Sequence, residues 1–142
     1  MLTGIAHINL TVPTNSLDEA EEFYSKTLGM QRVPVPALQK ACLSRDSQAT
    51  LRFDITPNGQ QVHIAFGPDS EESSRHPCFR VESQEALLKL QKRVFEHFEA
   101  GGKGAPKAAD KPGAENSGAK GVEYPSRFFA RDYAGNRLEF SV

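Results

Sequence analysis

The chain has 142 residues, 17 Lys plus Arg against 18 Asp plus Glu, and 38% hydrophobic residues. That length suits one domain, or two small halves sharing a core, and a formal net charge of -1 offers no field to gather nucleic acid or an anionic membrane. No apolar run approaches the roughly 18 residues of a bilayer span. The opening Met1-Leu2-Thr3-Gly4 lacks signal-peptide character, and Cys42 and Cys78 fit neither a disulfide framework nor a metal motif. A reduced, cytoplasmic protein without nucleic-acid or membrane partners is expected.

Ile5 to Val12 alternates, with apolar residues at the even positions, which predicts a strand with one face on a core. Pro13 ends it. Ser16 and Glu19 have capping-box spacing for a helix that places Leu17, Ala20, Phe23, Tyr24 and Leu28 on one face, and Gly29 closes it. A weak strand over Gln31 to Val35 follows. Two better ones, Ala49 to Ile55 and Gln60 to Phe66, are joined through Asn58-Gly59, a hairpin signal.

After the polar stretch from Gly67 to Arg75 the pattern restarts. His76 to Val81 alternates, and Ser83 can cap a helix carrying Leu87, Leu90, Val94 and Phe98 until Gly101 and Gly102 stop it. The segment from Lys103 to Gly121 is rich in Gly, Ala, Lys and Pro and reads as a mobile loop. Ser126 to Arg131 and Arg137 to Val142 then form two strands around the turn Asp132-Tyr133-Ala134-Gly135-Asn136. His7 with Leu10 and Val12 has the spacing of His76 with Phe79 and Val81, and a capped helix follows each. The chain therefore reads as an α+β domain over 3–142 made of two βαβββ modules, 3–67 and 75–142, with one strand of the second hidden in the loop at about 103–121.

His7, His63, His76 and Glu139 each stand opposite the apolar residues of their strands. With the apolar faces packed on helices, all four project from the other, concave face of a cupped sheet. Imidazole nitrogens and a carboxylate oxygen suit Zn, Fe, Ni, Mn or Co. The competing reading of each histidine is a surface or hydrogen-bonded residue, and no His-Glu-x-x-His motif arbitrates. Arg80 and Arg137 share the phase of these residues and could anchor a substrate carboxylate better than Arg127 or Arg131. His97, late in its helix, reads as structural, and Cys78 has no local signal for a nucleophile.

The sequence resembles the vicinal oxygen chelate superfamily, which includes glyoxalases, fosfomycin- and bleomycin-resistance proteins and extradiol dioxygenases. The resemblance rests on Ile5 to Val12, on Phe23-Tyr24 with Leu28-Gly29 and on Gln61-Val62-His63-Ile64. It continues through His76 to Val81, and through Phe128 to Asp132 with Gly135-Asn136-Arg137-Leu138-Glu139. Tyr133 departs from the Pro often found there. The resemblance implies a mostly antiparallel cupped sheet with helices on its convex side, and one divalent metal ion held by His7, His63, His76 and Glu139. It further implies a small-molecule substrate and a homodimer, with the site within one chain or across two. The chemistry implied is that of a glyoxalase-type lyase or isomerase acting on a small oxygenated compound or thiol adduct, with Glu139 also able to exchange a proton. His63 stands where glyoxalases and epimerases more often have Glu or Gln, and the absence of that second carboxylate ligand argues against lactoylglutathione lyase activity. The alternatives are an Fe(II) ring-cleaving dioxygenase and a non-catalytic binding or resistance protein.

Overall fold

The computed structural model describes residues 5–34, 51–55, 59–68, 73–118 and 126–142. The predicted strand residues outside these ranges, Val35, Ala49 and Thr50, and the Asn58 position of the hairpin lie outside the described residues. The chain divides into two compact units, Met1–Ser70 and Glu71–Val142.

The first unit runs β1 (His7–Pro13), α1 (Leu17–Ala20) continuing as a π-helical stretch (Glu21–Thr27), β2 (Gln31–Val33), β3 (Leu51–Asp54) and β4 (Gln61–Gly67). Its sheet has the order β1-β4-β3-β2. β1 lies parallel to β4, with Ile8 opposite Val62, and the other two pairings are antiparallel. Ser16 stands at the helix start but makes no side-chain cap; its hydroxyl donates to the Pro13 carbonyl at 2.6 Å, so the capping box does not form. The π-helical closure shows in the bond from Leu28 N–H to Phe23 O, at 2.9 Å. Gly29 follows at φ 81, the left-handed geometry expected of a stop. Ala20, Phe23 and Tyr24 are fully buried with Val12, Phe53, Val62 and Ile64, whereas Leu17 is 40% exposed and leaves the face assigned to it. Tyr24 stacks on Phe53, which ties the helix to the centre of the sheet.

The second unit repeats this plan with β5 (Cys78–Arg80), α2 (Gln84–Ala100), β6 (Ala108–Ala109), β7 (Arg127–Arg131) and β8 (Arg137–Ser141). The order is β5-β8-β7-β6, β5 lies parallel to β8, and the remaining pairs are antiparallel. These two four-stranded mixed sheets are the two βαβββ modules. Ser83 caps α2 as predicted, its oxygen accepting from Ala86 N–H at 3.2 Å. Leu87 and Val94 are buried by α2, while Phe98 is 38% exposed. The hidden strand is β6. It carries no large apolar side chain, which is why composition masked it, and Lys107 and Asp110 tie its two ends to β7 by backbone bonds. Phe79, Phe140 and Phe128 are register partners across β5, β8 and β7 and stack as one row, the ring centroids 5.5 and 4.7 Å apart.

The β7–β8 hairpin turns around Asp132, which is fully buried. Its Oδ1 accepts from the N–H groups of Ala134 (2.9 Å) and Asn136 (2.8 Å), and Oδ2 accepts from Asn136 Nδ2 at 2.9 Å. A buried carboxylate satisfied by three donors fixes both the turn and the register of β8. Asp132→Ala leaves those donors without an acceptor and is expected to lower stability by about 3 kcal/mol in urea unfolding, with Asp132→Asn losing less.

Candidate functional site

In the first unit, His7, Gln61, His63, Arg52 and Asp54 share one sheet face, since Arg52 pairs with His63 and Asp54 with Gln61, while His7 pairs with Gln61. The His7 and His63 rings stack at 4.0 Å, their planes 10° apart. Gln61 Nε2 donates to Asp54 Oδ1 at 2.8 Å, which turns the amide oxygen toward His63 Nε2 at 3.0 Å. That contact makes Nε2 the protonated nitrogen of His63 and leaves Nδ1 with the lone pair. Stacked rings keep their in-plane lone pairs in two separate, near-parallel planes, so within this unit the two imidazoles do not converge on one point.

In the second unit, His76 and Glu139 come together. His76 Nε2 lies 2.9 Å from Glu139 Oε2, and His76 Nδ1 lies 2.7 Å from the Ser74 carbonyl, to which it donates. The carbonyl directs Nε2 at the carboxylate, an arrangement that also orients a histidine ligand. Glu139 is buried, and its other oxygen accepts from Arg127 Nη1 at 3.3 Å, both side chains being 9% exposed. Phe129 pairs with Glu139 across the strands and meets the edge of the His76 ring at 5.4 Å. Cys78 contacts Ser141 at 3.3 Å. Partial desolvation holds its thiol above the usual range, and the Glu139 carboxylate adds to this, so Cys78 is not an activated nucleophile.

The donor chemistry of the His76–Glu139 pair fits a divalent cation. Two ligands each about 2.1 Å from an ion and at right angles stand about 3 Å apart, close to the observed Nε2–Oε2 separation. Among the described residues no three His, Cys, Asp or Glu side chains cluster tightly enough to hold an ion, so each unit offers a pair of candidates.

Arg80 and Arg137 share the face of Glu139 as their phase predicts, but two other arginines differ from their sequence reading. Arg127 and Arg131 pair with Ser141 and Arg137, so they share the face of Glu139 that the sequence reading denied them. Adjacent Phe128 and Phe129 are both buried, one on each face, and that made the strand's phase ambiguous. Arg80 lies exposed at the end of β5. Arg137 lies over the Phe129 ring, its Cζ 4.5 Å from the centroid.

Comparison with solved structures identifies the architecture. A protein from Bacillus anthracis described as of the glyoxalase family matches with a TM-score of 0.66 at 23% identity, covering 99% of this chain and 94% of its own. The fosfomycin resistance protein FosX from Listeria monocytogenes matches with a TM-score of 0.69 at 15% identity over 100% of this chain and 92% of its own. The fold is that of the vicinal oxygen chelate superfamily. A FosX variant solved with Mn(II) and 1S,2S-dihydroxypropylphosphonic acid matches with a TM-score of 0.67 at 14% identity, over 100% and 93% of the two chains. No protein-family model and no curated protein matches the sequence. No helix among the described residues is long and apolar enough to cross a membrane.

Two outcomes follow from this geometry. His63 has its pKa lowered by burial first, then by His7 and Arg52. The unfolded chain therefore takes up a proton near pH 6.5 that the folded chain refuses, so His63 makes stability fall as pH drops below about 6.5. Urea unfolding between pH 7.5 and 5 is expected to show this decline, and His63→Asn to flatten it. Separately, Arg127→Met leaves the buried Glu139 Oε1 without its cationic partner, with His76 still at Oε2, and is expected to cost about 2 kcal/mol, while Arg127→Met with Glu139→Leu recovers most of the loss.

Proposed function

We propose that this protein is a divalent-metal-dependent enzyme of the glyoxalase type, a lyase or isomerase acting on a small oxygenated substrate or thiol adduct. The observation that carries the reading is the His76–Glu139 pair, 2.9 Å apart and held from behind by the Ser74 carbonyl and Arg127. His76 and Glu139 are the first two ligands. The further ligands that the resemblance implies are His7 and His63, of which His7 is preferred because His63 Nε2 is engaged by Gln61. The site is built within one chain or across a homodimer. A cation bound there supplies Lewis acidity toward an enolate or oxyanion. Arg127 neutralises one carboxylate oxygen and restrains Glu139, which favours a fixed anionic ligand over a carboxylate that swings away to carry protons. Phe129, beside His76, presents an apolar wall to the substrate.

Equilibrium dialysis of chelator-stripped protein against Mn(II), Ni(II) and Zn(II) tests the reading. Near-stoichiometric uptake is expected, with His76→Ala and Glu139→Gln each weakening affinity about 100-fold or more, and His7→Ala weakening it more than His63→Asn. Protein that takes up none of these ions, or uptake indifferent to His76→Ala, would remove the proposal. Oxygen consumption by Fe(II)-loaded protein with catechols would reassign it to a ring-cleaving dioxygenase.

A further inference from the structure

Arg131 and Arg137 are direct cross-strand partners on one sheet face, a placement in which like charges repel. Among the described residues neither lies within ion-pair distance of a carboxylate. Arg131 donates to the carbonyls of Gly135 at 2.8 Å and Ser73 at 3.4 Å, and Arg137 to that of Ser117 at 3.1 Å. Among the described residues the buried Arg137 Nε has no hydrogen-bond partner, so an arriving acceptor would meet a donor not already engaged by them. Both side chains line a cleft of about 210 Å³ with Asp110, Ser117 and Phe129.

Asp110 is the one acid in that lining, and its charge is turned to the backbone. It accepts from Ser117 N–H at 3.1 Å to each oxygen and from Phe129 N–H at 2.8 Å. The segment it pins lies directly on the aromatic ring, for a Cβ on Gly118 would collide with Cε2 and Cζ of Phe129. The first module gives the contrast. Counting register from the His63–Arg52 and Glu139–Phe129 pairs, the places of Arg131 and Arg137 are held there by Asp54 and Gln61, which satisfy each other at 2.8 Å. One module closes this position with its own hydrogen bond. The other leaves two guanidinium groups beside a cleft.

We propose that this cleft is an oxyanion subsite: Arg131 and Arg137 bind a carboxylate or phosphate-like group of the substrate. Guanidinium forks suit such groups through charge-assisted bonds. Phe129 is the floor between the subsite and the His76–Glu139 pair, since its ring touches both Arg137 and His76. The assignment of the bound group to a substrate rests on the proposed function above. Binding of the anion itself requires no metal.

The test is titration calorimetry on chelator-treated, metal-free protein at low ionic strength, with inorganic phosphate, methylphosphonate and acetate as probes. Saturable binding of at least one, roughly millimolar, is expected. Arg137→Gln and Arg131→Gln should each weaken it tenfold or more, and Arg93→Gln, at an exposed position of α2, should leave it unchanged. Phosphate and methylphosphonate binding in preference to acetate assigns a tetrahedral anion; equal acetate binding assigns a carboxylate. Anion-free melting midpoints verify folding, and Arg137→Lys stands in should Arg137→Gln not fold. Wild-type protein that binds none of the three, or folded arginine variants that bind as well as wild type, overturns the inference. Metal uptake measured on the same samples separates the two proposals. Anion binding without metal uptake refutes the function and keeps the subsite, and the converse refutes only the subsite.

Discussion

The parallel pairing of the first and last strands of each module is the constraint on which the arrangement depends. Hydrogen bonds between β5 and β8 bring His76 within 2.9 Å of Glu139 across 63 positions of sequence. Those between β1 and β4 stack His7 on His63. A parallel pair cannot be closed by a tight turn, so the intervening helix and strands are the connection that makes it possible. The aromatic row Phe79, Phe140 and Phe128 secures this pairing from the apolar face in the second unit. Side chains on the opposite face are thereby placed without having to hold the sheet together.

Alternation made much of this legible. A period of two assigns faces, and it put His7, His63, His76 and Glu139 opposite the apolar residues before any register was known. The fold class followed from the repeated order of elements and from the resemblance carried by Phe23-Tyr24, Leu28-Gly29 and the Gly135 to Glu139 segment. What escaped was local competition. Ser16 has the right spacing for a capping box, yet its hydroxyl bonds back to Pro13. Leu17 has helical phase with the core but sits at the first position of a helix that widens into π geometry one turn later. β6 is two alanines in a segment whose composition argues for a loop. Strand pairing is set by partners, and no periodicity within the segment reports it.

The arginines show the limit of face assignment most clearly. In β7 the sequence Arg127-Phe128-Phe129-Ala130-Arg131 offers apolar residues at both phases. Phe128 and Ala130 turn toward the core of their unit, and Phe129 stays on the polar face yet is only 4% exposed. An aromatic ring buried on a face that also carries Arg127, Arg131, Arg137 and Glu139 makes that face a place of reduced dielectric. Charges there are stronger in both attraction and cost. The register with β8, invisible in the sequence, decides which arginine meets which partner.

The same register explains why two modules with one topology have diverged in chemistry. Aligned through the Glu139–Phe129 and His63–Arg52 pairs, His63 stands where Glu139 does, and Asp54 and Gln61 stand where Arg131 and Arg137 do. The first module answers an imidazole pair with an amide and a carboxylate that complete a short chain of hydrogen bonds. The second places a carboxylate against its imidazole, balances it with Arg127, and keeps two further guanidinium groups on neutral carbonyls and the Phe129 ring, with no carboxylate partner among the described residues. In the first module Asp54 and Gln61 satisfy each other at this position, so little is gained there by adding a ligand. In the second the unmet Arg137 donor and the opposed positive charges lower the cost of bringing an anion out of water. Duplication supplies the geometry twice, and the substitutions on one face decide which copy closes this position with its own hydrogen bond and which leaves two guanidinium groups beside a cleft.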